Sequence, residues 1–143
     1  MDAPFFPVHP EDHPPTAARY SPAVVVPLAG GTSLVLVSGQ VAKDPAGDPV
    51  AAHDTGRQTE RVLDLLDSAL AACGGGLADL VSLVVYVLDM ADLPAVSEVR
   101  NRRLGDPPPT STVLQVSALA KPEFRVEISA MAVISTTVDR ATL

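Results

Sequence analysis

The chain has no tryptophan, only three phenylalanines and two tyrosines, so aromatic side chains cannot carry its core. Its interior has to be assembled from Val, Leu, Ala and Ile, in a chain that is 47% hydrophobic. Cysteine is nearly missing too. Cys73 stands alone, so no intrachain disulfide can form and nothing ties the fold to an oxidising compartment. Positive charge is short: the net charge is −7, the wrong sign for a protein whose main partner is nucleic acid. Arg100, Arg102 and Arg103 form the one basic cluster, which on a helix reads as a solvated face. Long apolar runs are lacking as well. None reaches the roughly 20 residues needed to cross a bilayer, and Pro and His interrupt the N-terminus where a signal peptide needs its apolar stretch. The expected address is the cytoplasm, with no membrane partner.

What is present fits one compact domain of 143 residues. Residues 1–18 stand apart as a proline-rich arm, which cannot hold regular helix or a central strand. Phe5 and Phe6 are its apolar docking points. His9 and His13 flank Glu11 and Asp12, but no rigid element holds them, so the reading is a polar arm and no metal site. Ala23–Leu28 and Leu34–Val37 are β-rich runs about the Gly30-Gly31-Thr32 turn, which predicts a hairpin. Thr55-Gly56-Arg57-Gln58 reads as a capping box, with Thr55 covering an amide and Gln58 reaching back. From there Val62, Leu63, Leu66, Ala69, Leu70 and Cys73 recur at helical spacing until the glycines at 74–76.

Leu80–Leu88 predicts a central strand with Val81, Leu83, Val85 and Val87 on one face and Leu80, Ser82, Val84, Tyr86 and Leu88 on the other. A shorter helix follows, capped by Asp92 with Pro94 in its first turn, and turning Val96, Val99 and Leu104 inward. Pro107–Pro109 break the chain before a strand over Ser111–Val116. The last strand, Phe124–Val133, alternates apolar residues with Arg125, Glu127, Ser129 and Met131. The order β-β-α-β-α-β-β is an α+β two-layer sandwich, with both helices on one face of a mixed sheet. Its other face is left partly apolar, and the simplest cover is another copy of the chain.

Four segments in order carry a family resemblance: Tyr20-Ser21-Pro22-Ala23-Val24, Ser38-Gly39-Gln40, Pro109–Val116, and Phe124–Ala130. Together they resemble the Rid family (reactive intermediate deaminases, also called YjgF) over residues 18–135. The resemblance implies a chorismate-mutase-like fold, a homotrimer whose sheets pack into a central barrel, and a small-molecule ligand in the cleft between subunits. It divides the chain into the arm (1–18), a Rid-like domain (19–136) and a C-terminal tail (137–143).

In active members an arginine two residues after the strand-opening proline grips the substrate carboxylate, and a last-strand glutamate orients the attacking water. Here the arginine position is Ser111 and the glutamate is Glu127. Ser97 stands where many members carry asparagine. A bidentate guanidinium fork is not reproduced by one hydroxyl, so the arginine-dependent 2-aminoacrylate deaminase reaction is not expected. The candidate catalytic residues are Glu127 and Tyr20, with Ser111, Gln40, Ser97 and Arg125 for substrate binding. Each has a plainer reading. Glu127 could be an outward residue paired with Arg125 or a neighbouring chain, Tyr20 a cover for the core edge, and Ser111 a small strand residue.

No nucleotide loop, metal-ligand set or Cys/His nucleophile pair is present, so catalysis is expected to need no cofactor. The expected activity is imine or enamine hydrolysis, or acid–base isomerase or cyclase chemistry, on a carbonyl-derived metabolite of a specialised biosynthetic pathway. The alternative is a non-catalytic trimer that binds a metabolite or a protein. A ribonuclease reading, a label some members bear, is disfavoured by the acidic surface.

Overall fold

The computed structural model describes residues 3–135; the expected C-terminal tail lies outside the described residues. Strand β1 is Phe6–Val8, β2 Ala23–Pro27, β3 Ser33–Gln40, β4 Leu80–Val87, β5 Thr110–Gln115 and β6 Val126–Ile134, with helices α1 Thr55–Ala71 and α2 Leu93–Arg103. They form one six-stranded sheet in the order β1-β2-β3-β6-β4-β5. Every pairing is antiparallel except β4 with β5. α1 packs across β3 and β6, and α2 packs on α1.

The core is aliphatic, as the scarcity of aromatics requires. Val62, Leu63, Leu66, Ala69 and Leu70 on α1, with Cys73 in the turn just beyond it, meet Val25, Val35, Leu83, Val85, Ile128 and Ala132 of the sheet, all buried. Burial pushes the Cys73 thiol up to about 11, which makes it a packing residue with little thiolate. β2 and β3 form the expected hairpin, closed by Leu28 N–H donating to the Thr32 carbonyl at 2.9 Å. Gly30 and Gly31 have φ of 75° and 73°, which favours glycine.

Four expectations change. The arm contributes an edge strand: Phe6 and Val8 are buried on β2 while Pro7 points outward, a placement an edge tolerates because Pro withholds only an outer donor. The order therefore gains a leading strand. Helix α1 is capped by Asp54, whose carboxylate accepts from Arg57 N–H at 3.0 Å. Thr55 is buried in the first turn, and Gln58 turns inward instead of reaching back. On β4 the register against β6 shifts between Leu80 and Ser82. This irregularity buries Leu80 with Leu83, Val85 and Val87, and leaves Val81 41% exposed. Asp92 sits at the start of α2 but makes no side-chain cap bond; its carboxylate goes to Arg125 instead.

The sheet face away from the helices carries Leu36, Met131, Val133 and Leu114, all exposed. Leu36 lies opposite Met131 in the β3–β6 register. No helix among the described residues is long and apolar enough to cross a membrane.

Candidate active site

Alternation along β6 decides which side chains meet. Val126, Ile128, Ala130 and Ala132 are buried under the helices, so Glu127 and Ser129 stand on the opposite face. There Glu127 pairs in register with Tyr86 of β4, and Ser129 with Val84. Glu127, Tyr86 and Ser129 line a cleft of about 300 Å³ with Gly39, Val116, Ala118 and Leu119. Apart from the carboxylate, its polar groups are one phenol and one serine hydroxyl.

The Ser38-Gly39-Gln40 segment shapes one wall. The β3–β6 register shifts between Val37 and Gln40, which brings Gly39 against the Glu127 side chain. A Cβ at residue 39 would overlap the Glu127 carboxylate, so any larger residue here obliges the Glu127 side chain to move. The flanking residues fix the irregularity. Ser38 Oγ donates to the Ser21 carbonyl at 2.6 Å, and Gln40 Nε2 donates to the Ser38 carbonyl at 2.9 Å. Gln40 Oε1 lies 2.9 Å from His13 Nε2. Gln40 is thus buried in the support beneath the cleft, held by the arm.

Among the described residues no group hydrogen-bonds to or pairs with the Glu127 carboxylate. Burial pushes its pKa above the ordinary carboxylate range; the Lys43 ammonium acts weakly in the opposite direction. The charged form is deprived of water and given little in return.

The other expected site residues are not gathered around it. Arg125 Nη2 is 2.6 Å from Asp92 Oδ2, and its Nε is 3.0 Å from the same oxygen. That guanidinium is committed to the start of α2 and is not a partner of Glu127. Tyr20 precedes β2, is 44% exposed, and is not part of the cleft wall within this chain. Ser97 lies on α2, in the helix layer. Ser111 pairs with Leu83, a buried helix-side residue, so it points to the helix side of β5. Thr112 pairs with Val84 and Leu114 with Tyr86; these share the face of Glu127. The run Thr110-Ser111-Thr112 holds no arginine on either face. Sequence reasoning missed Tyr86, Ser129 and Lys43. Tyr86 and Ser129 were legible as polar breaks in otherwise apolar strands, while Lys43 reaches the site through a loop whose path no periodicity reveals.

Two helices on one face of a mixed sheet, with the ligand-sized cleft on the other, define a chorismate-mutase-like α+β sandwich. RidA from an Antarctic Psychrobacter superposes with a TM-score of 0.74 at 29% identity, over 86% of this chain and 94% of that one. The family model described as Endoribonuclease L-PSP matches residues 10–134. The chain belongs to that family, the YjgF/Rid group. Among curated proteins it is 36% identical to protein DfrA of Myxococcus xanthus over 126 residues, 88% of this chain and 93% of that one. It is also 32% identical to the 3-aminoacrylate deaminase RutC of Acinetobacter baylyi over 123 residues, 86% of this chain and 93% of that one.

Proposed function

We propose that the protein is a cofactor-free enzyme that hydrolyses an imine or enamine-derived metabolite in the Glu127 cleft. The observation that carries this reading is a half-buried carboxylate with no hydrogen-bond partner among the described residues, raised above its ordinary pKa, at the wall of a ligand-sized cleft. The Glu127 carboxylate takes a proton from water as the oxygen adds to the C=N carbon. The resulting carbinolamine gains a proton on nitrogen, its C–N bond breaks, and ammonia and a carbonyl compound leave. Tyr86 and Ser129 are positioned to hydrogen-bond the substrate.

The substrate class follows from the walls. No arginine stands on the adjoining segment of β5, and Lys43, the cation that acts on Glu127, is not among the residues lining the cleft. A substrate carboxylate beside Glu127 would meet a like charge, so the preferred substrate lacks one and is neutral or cationic. This separates the chain from the amino-acid imines its resemblance first suggests. The acidic composition also speaks against the nuclease activity named in the family description.

The apolar sheet face bearing Leu36, Met131 and Val133 supports assembly into a homotrimer, with the cleft completed by a neighbouring subunit. Tyr20, exposed in the single chain, is then available to that neighbour's cleft. The test is ammonia release from two probes, 2-aminoacrylate and a carboxylate-free imine of similar size. The carboxylate-free imine is expected to turn over faster, by about 10-fold or more. Faster turnover of 2-aminoacrylate would overturn the substrate class, and ammonia release from neither would favour a non-catalytic binding trimer.

A further inference from the structure

The arginines of α2 do not behave alike. Arg102 pairs with Glu60 of α1, and Arg103 bridges Glu60 at 2.7 Å and Asp64 at 2.8 Å. Arg100, one turn earlier, has no such partner. Its side chain is half-buried, and its Nε is shut from solvent with no acceptor among the described residues. An unmet buried donor of this kind costs about 1–3 kcal/mol. The same side chain lines a cleft of about 410 Å³, between the end of α2 and the loop leading to β5. Asp106 lines that cleft too, together with Leu104, Pro108 and Pro109. Arg100 and Asp106 form no ion pair with each other or with any other described residue.

We propose that this cleft is a second small-molecule site, distinct from the Glu127 cleft, for a zwitterionic α-amino acid. Opposite charges that line one cleft without pairing with each other can be bridged by a ligand that carries both signs. The ligand carboxylate takes the guanidinium of Arg100, which lines the cleft and has no ion-pair partner among the described residues. The ligand ammonium takes Asp106. It is favoured there by the last carbonyls of α2, which carry the negative end of the helix dipole. Leu104, Pro108 and Pro109 offer an apolar rest for a small aliphatic side chain.

The test is an amide-resolved NMR titration of the full chain with L-alanine. Acetate and methylamine serve as probes carrying one charge each. Saturable shifts are expected on residues 100–109, with a Kd of about 1 mM or tighter, and at least about 10-fold weaker binding of either single-charge probe. Arg100→Gln and Asp106→Asn should each weaken L-alanine about 10-fold or more. Glu127→Gln should leave it unchanged, which separates this site from the proposed catalytic one. Equal binding of acetate would reduce the site to a simple anion subsite and overturn the amino-acid assignment. Shifts confined to Tyr86, Glu127 and Ser129, or no saturation at about 50 mM, would overturn the site itself.

Discussion

At the scale of single residues, Glu127 is a charge the fold desolvates without compensating it. A raised carboxyl holds its proton more tightly in the folded chain than in the unfolded one. The stability this adds is present at acid pH, and it is lost as pH rises through the folded-state pKa. Glu127→Gln removes that loss. Chemical denaturation from about pH 4.3, the ordinary glutamate value, to neutrality should show the variant holding its stability while the wild type declines. A parallel pH dependence of the two proteins would show that Glu127 is not the desolvated group. Glu60 behaves oppositely: hydrogen bonds from Arg103 and Arg102 lower its pKa, so its contribution is present at neutral pH and fades on acidification. Gly39 is the second sensitive residue. Gly39→Ala presses a methyl into the Glu127 carboxylate, and should reduce turnover by displacing that side chain while changing stability in urea denaturation by no more than about 1 kcal/mol.

At the scale of elements, Gln58 binds the start of α1 to the run into β6. Its Nε2 donates to the Glu123 carbonyl at 2.7 Å, and its Oε1 accepts from Arg125 N–H at 2.8 Å. Gln58→Met keeps the volume but leaves both backbone groups unmet, and should destabilise the protein by about 2–4 kcal/mol in urea denaturation. The β5 register makes a sharper prediction. Thr112→Arg puts a guanidinium on the Glu127 face, and should increase turnover of carboxylate-bearing imines; Ser111→Arg, on the helix side, should not. Equal gains from both would contradict the register. These elements also show what a sequence can reveal. The apolar stripe of α1 and the alternation of β6 are long enough to be read by eye, so Glu127 was placed on the correct face. β1 is only three residues, too short to show a period around Pro7. The irregularity at Val81 and the inward turn of Gln58 arise from tertiary contacts that local pattern does not encode. The helix-side register of Ser111 was not legible because proline spacing fixes where a strand begins but not which face it presents.

At the scale of the whole molecule, the helices cover one side of the sheet and leave Leu36, Met131, Val133 and Leu114 on the other exposed. Burying such a surface against further copies is worth about 25 cal/mol per Å², which favours assembly at micromolar concentration. Light scattering should give three times the 14.8 kDa of the single chain; a stable monomer would remove the basis for a cleft completed between subunits. On the proposed reading, Glu127 is the base within that assembly and the cleft walls choose the substrate. The most direct measurement is therefore ammonia release from a carboxylate-free imine by wild type and Glu127→Gln, each first confirmed to be the same oligomer. The account predicts turnover by the wild type and a loss of about 100-fold or more in the variant. Equal rates in two equally assembled proteins would contradict it.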